Sequence, residues 1–267
     1  MGVTSTPFNV LTWGSDELPP LVCVHGIGGH ARRFERLARM LADRVRVIAY
    51  DLRGHGRSPW SGDQTLAAHA RDLEQVMDAC GAKQAVLVGH SLGARVGIEF
   101  AAAHGERITA LVLLDPPLFT PPATMHAAAA QERSGRGHTD VDAAIEARRV
   151  EAGLVHTPRA LLEEEMAEHL VADEDGRFRF RYSREAAARA YEELAEAPAR
   201  LKEIVCPTLL VRAERSDLLS EEAADRAAAE LRRCRVATVP GSHVVLWDAL
   251  AETSALVRDF VTEPSRA

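Results

Sequence analysis

The feature that most constrains the fold of this chain is an alternation of short apolar segments with longer amphipathic ones. The short segments are rich in β-branched residues, and the longer ones carry apolar residues at three- and four-residue spacing, as helices do. We predict strands at Phe8–Trp13, Leu21–Val24, Val45–Tyr50, Ala85–Val88, Ile108–Leu114, Thr208–Val211 and Arg235–Val239. We predict helices at Ala31–Ala42, Leu66–Cys80, Leu92–His104, Ser220–Leu231 and Ala249–Val261. The alternation indicates an α/β fold with a mostly parallel central sheet and helices on both faces.

The alternation is interrupted once, between Asp115 and about Pro198, by a stretch rich in Ala, Glu and Arg. Residues 118–200 hold 16 acidic and 11 basic side chains, so most of the net charge of −7 lies in this part of the chain. We interpret it as an inserted helical unit. Within it, residues 177–182 alternate arginine with an aromatic residue, which predicts a short extended segment. We expect its aromatic face to pack on the core rather than to contact substrate.

Composition excludes several classes of protein. Thirty-two basic residues against 39 acidic ones, with no long Lys/Arg block, argue against a nucleic-acid partner. The longest apolar runs have the length of strands, far below the about 20 residues of a membrane helix, and the N-terminus has no signal-peptide pattern. We therefore expect a cytoplasmic protein with no membrane partner. Four scattered cysteines without a C-x-x-C pair argue against a metal site and a disulfide framework.

The strongest local motif is Gly89-His90-Ser91-Leu92-Gly93, a G-x-S-x-G pattern directly after a predicted strand and before a predicted helix. Such a pattern forms a sharp turn that exposes the serine at the carboxyl end of the strand. A serine hydroxyl is a weak nucleophile at neutral pH and needs a base, together with a group that orients the base. We predict that Ser91 is a catalytic nucleophile.

His243 is the best candidate for the base, because it lies in the loop after the last predicted strand. For the orienting acid we favour Asp217, in the loop after the preceding strand, since the chain order Ser…Asp…His is typical of this arrangement. Asp115, at the end of the strand before that, and Glu214 are alternatives. His25, His55 and His90 lie in glycine-rich turns and are expected to hydrogen-bond those turns. His169 is among the histidines expected at the surface.

Acyl transfer also requires N–H donors for the developing oxyanion. The N–H of Leu92, at a helix N-terminus directly after Ser91, is one candidate. The second donor is expected in the glycine-rich turn after the strand Leu21–Val24. We assign it to Ile27 N–H, with Gly26 and Gly28 as alternatives.

Together these motifs resemble the α/β-hydrolase superfamily. They are the His25-Gly26 turn, the Asp51–Ser58 loop, the Ser91 turn, and the Asp217 and His243 loops, in that order. The resemblance implies an α/β-hydrolase core of residues 1–117 and 198–267, with residues 118–197 as a helical cap over the active site. Asp51–Ser58 is similar to a structural loop of the family and is given no chemical role.

The resemblance further implies a serine hydrolase that cleaves a carboxylic ester, lactone or thioester of a small-molecule acyl substrate, without a cofactor or metal. An acyltransferase, a C–C bond hydrolase or a cofactor-free perhydrolase would use the same three side chains. A small-molecule receptor on the same scaffold is the alternative of another class. Substrate identity and oligomeric state stay open at this point.

Overall fold

The protein is described by a computed structural model, which covers residues 5–151, 154 and 157–263. Its centre is a seven-stranded sheet of β1 (Val10–Trp13), β2 (Pro20–Val24), β3 (Arg46–Tyr50), β4 (Ala85–His90), β5 (Ile108–Leu114), β8 (Thr208–Ala213) and β9 (Cys234–Val239). The strands lie in the order β1-β3-β2-β4-β5-β8-β9. β1 pairs antiparallel with β3 and every other pair in this sheet is parallel. All seven predicted strands are confirmed, and so is the mostly parallel sheet.

Helices cover both faces of this sheet. The helices of the core are α1 (Glu35–Leu41), α2 (Leu66–Ala79), α3 (Leu92–Ala103), α8 (Glu221–Glu230), α9 (Val245–Asp248) and α10 (Leu250–Thr262). The apolar sides of α2, α3 and α8 pack on one face, and those of α1 and α10 pack on the other. Because both faces are covered, the central strand β4 is buried along its whole length. The predicted helix at Ala31–Ala42 begins instead as a 3₁₀ turn, Ala31–Phe34, before α1.

The stretch between β5 and β8 is mostly helical. It contains α4 (Pro122–Ser134), α5 (Val141–Glu151), α6 (Arg159–His169), α7 (Arg184–Glu196) and a small antiparallel hairpin of β6 (Leu170–Ala172) with β7 (Phe178–Phe180). The predicted extended aromatic segment, residues 177–182, contains β7. Phe180 and Tyr182 are buried while Arg177 and Arg179 are exposed.

The aromatic segment connects this helical stretch to the core. Phe180 and Tyr182 belong to an apolar cluster with Val244 and Trp247, which follow the last strand of the sheet. The backbone of the segment is tied to the loop after β3, where Gly56 N–H donates to the Arg181 carbonyl at 2.8 Å. These contacts hold the helical stretch against the carboxyl edge of the sheet.

Within the residues that the structure covers, no helix is long and apolar enough to cross a membrane.

Candidate active site

Ser91 lies at the turn between β4 and α3, where the chain folds back within one residue. Its backbone has φ = 54° and ψ = −119°, a strained conformation for a side chain with a Cβ. The turn is tight because α3 runs against β2, and a Cβ on Gly93 would lie 2.0 Å from the Val24 carbonyl oxygen. Ser91 N–H donates to the Leu114 carbonyl at 3.0 Å, which attaches the turn to the end of β5. The motif therefore requires glycine beside Ser91 because a side chain would clash with neighbouring backbone. The turn holds the serine at the carboxyl edge of the sheet.

His243 follows β9 and meets the carboxylate of Asp115, with 2.7 Å between Nδ1 and Oδ2. Asp115 directly follows β5 and is fully buried. Its Oδ1 accepts the Ala213 N–H at 2.8 Å, and its Oδ2 also accepts the Ser216 hydroxyl at 2.6 Å. Since Nδ1 of His243 donates to a carboxylate, Nε2 of the neutral imidazole carries no proton. The pair thus provides an oriented base.

The structure corrects the preference for Asp217 as the orienting acid, because the carboxylate bonded to His243 is the alternative, Asp115. The loop after β8 turns so that Ser216 faces inward, where its hydroxyl accepts the N–H groups of Leu218 and Leu219. Asp217, the next residue, is exposed and lines the cavity in front of Ser91. Glu214 is exposed as well.

A signal for Asp115 was present in the sequence. Asp115 stands immediately after a strand, where the backbone is fixed by the sheet, whereas Asp217 is four residues beyond the end of β8. The backbone of Asp115 has φ = 44°, so an aspartate there occupies a left-handed conformation that this residue type tolerates better than most.

The glycine-rich turn after β2 is held from behind by two histidines. Nε2 of His25 accepts the Leu52 N–H at 2.9 Å, so Nδ1 carries the proton and donates to the Gly26 carbonyl at 2.7 Å. Nε2 of His55 accepts the Gly28 N–H at 3.0 Å. Burial lowers the pKa of both, that of His55 to about 4, so both rings are neutral acceptors at neutral pH. The prediction that the histidines hydrogen-bond their own turns is confirmed for His25 and for His55, whose Nδ1 bonds the Arg53 carbonyl at 3.0 Å, but not for His90, which bonds the His243 carbonyl.

The hydrogen bond to His55 excludes Gly28 as an oxyanion donor, because its N–H is already used. Ile27 lines the cavity beside Ser91. Leu92 is the first residue of α3, where an N–H has no partner within the helix. The turn also approaches Ser91 closely, since a Cβ on Gly26 would lie 2.8 Å from Cβ of Ser91. Ile27 and Leu92 stay the predicted oxyanion donors, with Gly26 as the alternative to Ile27.

His90 supports the loop that carries His243. Its Nε2 donates to the carbonyl oxygen of His243 at 2.9 Å, and the two rings lie 4.8 Å apart. Burial and the positive charge that His243 can acquire lower the pKa of His90 well below its usual value. His90 therefore stays neutral when His243 takes a proton.

Ser91 and His243 face a common cavity of about 560 Å³. Apolar side chains such as Ile27, Met125 and Val244 line part of it. Its charged lining residues are Arg33, Glu132, Arg148, Arg215 and Asp217. In the part of the chain that the structure covers, no group of three or more His, Cys, Asp or Glu side chains could hold a metal ion.

A buried polar cluster that the sequence did not reveal lies behind the glycine-rich turn. Arg33 and Glu165 form an ion pair at 2.7 Å, and both side chains are almost fully buried. Burial alone would raise the pKa of Glu165, but Arg33 and His30 hold it far below its usual range. His169, expected at the surface, is buried here and donates from Nε2 to the Gly28 carbonyl at 3.2 Å. Arg33 and Glu165 are 132 residues apart, so no local pattern could have paired them.

Comparison with known proteins places this geometry among related folds. A profile of the alpha/beta hydrolase family matches residues 21–256. Lipase LipV of Mycobacterium tuberculosis is 32% identical over 213 residues, which cover 78% of each chain. The crystal structure of E-2-(acetamidomethylene)succinate hydrolase has a TM-score of 0.87 and 26% identity, over 96% of this chain and 95% of that one. The enol-lactonase from Burkholderia xenovorans LB400, at 20% identity and a TM-score of 0.78 over 96% of both chains, shares the fold.

Proposed function

Because the chain belongs to the alpha/beta hydrolase family, we propose that it is a serine hydrolase that cleaves a carboxylic ester, lactone or thioester. One observation carries the proposal: Ser91, on a strained turn, shares a cavity with a histidine whose Nδ1 is bound to a buried carboxylate. A histidine held in this way has its Nε2 free to accept the serine proton. The ester-type chemistry is in keeping with the lipase among its relatives.

In the proposed reaction, Oγ of Ser91 attacks the acyl carbonyl while Nε2 of His243 takes its proton. Asp115 holds the imidazole in the required tautomer and stabilises the imidazolium that forms. The N–H groups of Ile27 and Leu92 receive the negative charge that develops on the carbonyl oxygen. His243 then returns the proton to the leaving group. In the second half-reaction water attacks the acyl carbonyl while Nε2 of His243 takes its proton, and that proton passes to Oγ of Ser91 as the acid leaves. His25 and His55 take no part in these steps, and their role is to fix the turn that carries Ile27.

We also propose that residues 118–197 act as the cap of this active site. Several side chains of the cavity come from this stretch, among them Met125 on α4, Arg148 on α5 and Tyr191 on α7. Ser91, His243, Asp115 and the proposed oxyanion donors all lie outside it. The cap would then decide which substrates enter, while the core performs the reaction.

Covalent labelling tests the nucleophile directly. A fluorophosphonate probe should label the protein at Ser91, and Ser91→Ala should remove both labelling and turnover of phenyl acyl esters while the circular dichroism spectrum stays unchanged. Ser242→Ala is the matched control for labelling, because this serine lines the same cavity and is not the proposed nucleophile. Labelling that persists in Ser91→Ala, or that disappears in Ser242→Ala, would contradict the assignment.

An N-acyl bond is the second candidate for the bond that is cleaved. It is favoured by the likeness to a hydrolase whose named substrate contains an acetamido group. The same nucleophile and base serve both bonds, and the difference lies in protonation of the leaving nitrogen by His243. Parallel assays with a phenyl ester and the corresponding anilide decide between them, because an enzyme for N-acyl bonds should turn over the anilide at a comparable kcat/KM.

A further inference from the structure

The charges that line the active-site cavity are mostly compensated by neighbours, with one clear exception among the basic groups. Arg33 is paired with the buried Glu165 at 2.7 Å. Arg215 is exposed and lies 4.0 Å from Asp248. For Arg148, no carboxylate of the described residues comes within ion-pair distance. The cavity therefore contains a half-buried guanidinium whose charge no carboxylate of the described residues neutralises.

Arg148 is held in place by contacts that leave part of its guanidinium free. Its Nη2 donates to the Gly28 carbonyl at 3.3 Å, and its Cζ lies 5.5 Å from the centre of the Phe180 ring. A guanidinium has five N–H donors in a planar fork that matches a carboxylate. The bond from Nη2 to the backbone orients the fork, and the Arg148 side chain lines the cavity.

We infer that Arg148 forms a subsite for a carboxylate of the substrate, so that the enzyme acts on acyl compounds that carry a second, ionised carboxyl group. The inference rests on the proposed function, and it specifies the substrate class of the same site. Its second support is position. Gly28, which Arg148 contacts, directly follows the proposed oxyanion donor Ile27, and two residues of backbone span at most about 7 Å. A short chain can therefore join the reacting carbonyl to a carboxylate on Arg148.

The cavity also explains why a single carboxylate would be preferred to a polyanion. Glu132 and Asp217 line it on other sides. Glu132 is occupied, since its carboxylate accepts the Tyr182 hydroxyl at 3.0 Å and lies 3.6 Å from Arg184. Asp217 is exposed and would repel a second negative charge near the loop after β8. The favourable position for an anion is therefore local to Arg148.

The first experiment compares phenyl half-esters of dicarboxylic acids with their neutral carboxamide analogues of equal length, over short, medium and long methylene chains. We expect kcat/KM to be about 10- to 100-fold higher for the carboxylate at the best length, since a hydrogen-bonded charge is lost in the analogue. Arg148→Met should remove this preference, and Arg148→Lys should restore part of it because the charge returns without the planar fork. Arg149→Met is the matched control, because Arg149 is the next residue of α5, pairs with Glu146 at 3.0 Å and should keep the full preference.

A second measurement separates this inference from the proposed function. Binding of the same phenyl half-esters to Ser91→Ala, measured by calorimetric titration, requires no turnover and should be lost when Arg148→Met is added. If Ser91 is labelled and phenyl esters are cleaved but carboxylates and carboxamides react and bind alike, the subsite is refuted and the serine hydrolase stands. If Ser91 is not labelled but the half-esters bind and Arg148→Met abolishes their binding, the proposed reaction fails and the subsite stands.

Discussion

Asp115→Asn is the substitution that tests the proposed site most sharply, because the structure dictates which way the new amide must face. Oδ1 of Asp115 accepts the Ala213 N–H at 2.8 Å, so an oxygen is required at that position. The amide nitrogen is therefore forced to the place of Oδ2, 2.7 Å from Nδ1 of His243. It donates to Nδ1 there, and the proton of the neutral imidazole moves to Nε2. Nε2 of His243 then presents a proton to Ser91 instead of a lone pair, so His243 can no longer accept the serine proton.

The expected loss follows from removal of the base without removal of the side chain. We expect kcat to fall by about 10⁴-fold, which corresponds to about 5.5 kcal/mol of transition-state stabilisation. The free energy of unfolding should change much less, by about 1–3 kcal/mol, because the buried amide keeps two of the three hydrogen-bond partners. A large loss of kcat together with a small loss of stability identifies a catalytic defect.

The assay is kcat on a phenyl acyl ester together with the rate of fluorophosphonate labelling, and urea denaturation reports on stability. Asp217→Asn is the matched control: the same chemical change, on an exposed carboxylate that lines the same cavity. We expect its kcat to stay within about threefold of the parent, since surface substitutions of this kind have small effects. A greater loss of kcat in Asp217→Asn than in Asp115→Asn would refute the reasoning and return the role of the acid to the loop after β8.

Two further perturbations test the packing around the site. Phe180→Ala should lower the free energy of unfolding by about 3–5 kcal/mol, because the ring is buried in the cluster with Trp247 rather than exposed to the cavity. Denaturation followed by tryptophan fluorescence measures this loss. An altered acyl-chain preference at unchanged stability would contradict the prediction. His69 is fully buried on α2, and no described residue hydrogen-bonds either of its ring nitrogens; its pKa is lowered to about 3, first by burial and then by repulsion from His55. Above pH 6.5 the ring is neutral in both the folded and the unfolded state, so folding requires no loss of a proton. As the pH falls from 6.5 toward 3, the unfolded state binds a proton that the folded state does not, and the free energy of unfolding decreases by up to about 1.4 kcal/mol per pH unit. Stability measured in urea at pH 7.5 and 5 should therefore fall by about 2 kcal/mol less in His69→Leu than in the parent, and equal losses would argue against a neutral buried ring.

The central sheet was predictable because its strands carry their own signal. Fully buried parallel strands such as Ile108–Leu114 are continuous apolar runs of a defined length, and the predicted bounds of that strand match the structure. The ends of other strands were less well defined. His90 continues the pairing of β4 past its apolar run, and Arg212 and Ala213 continue that of β8. Pairing geometry, which the side chains do not encode locally, determines those ends.

The parts of the site that depend on one tight turn were also predictable. Ser91 is identified by its own neighbours, because the steric demand of the turn selects the flanking glycines. The acid was harder to predict, because the position of Asp115 directly after a strand is a weaker signal than a glycine-flanked turn. Chain order does not reveal which of two adjacent loops bends inward, and here Ser216 reaches Asp115 where Asp217 was expected to reach His243. The pairing of Arg33 with Glu165 depends on how α6 packs, and the isolated sequence has no pattern for it.

The location of the proposed acid, directly after β5, has a consequence for protein engineering. The loop after β8 contributes the Ser216 hydroxyl to the Asp115 carboxylate, but it carries neither the proposed nucleophile nor the base. Asp217 and Leu218, which face the cavity from this loop, can be varied to change selectivity without exchanging a member of the catalytic set. A library randomised at these two positions, with Ser216 retained, should keep a large share of active members. The end of β5, in contrast, admits almost no variation, because Asp115 is enclosed by its three hydrogen-bond donors.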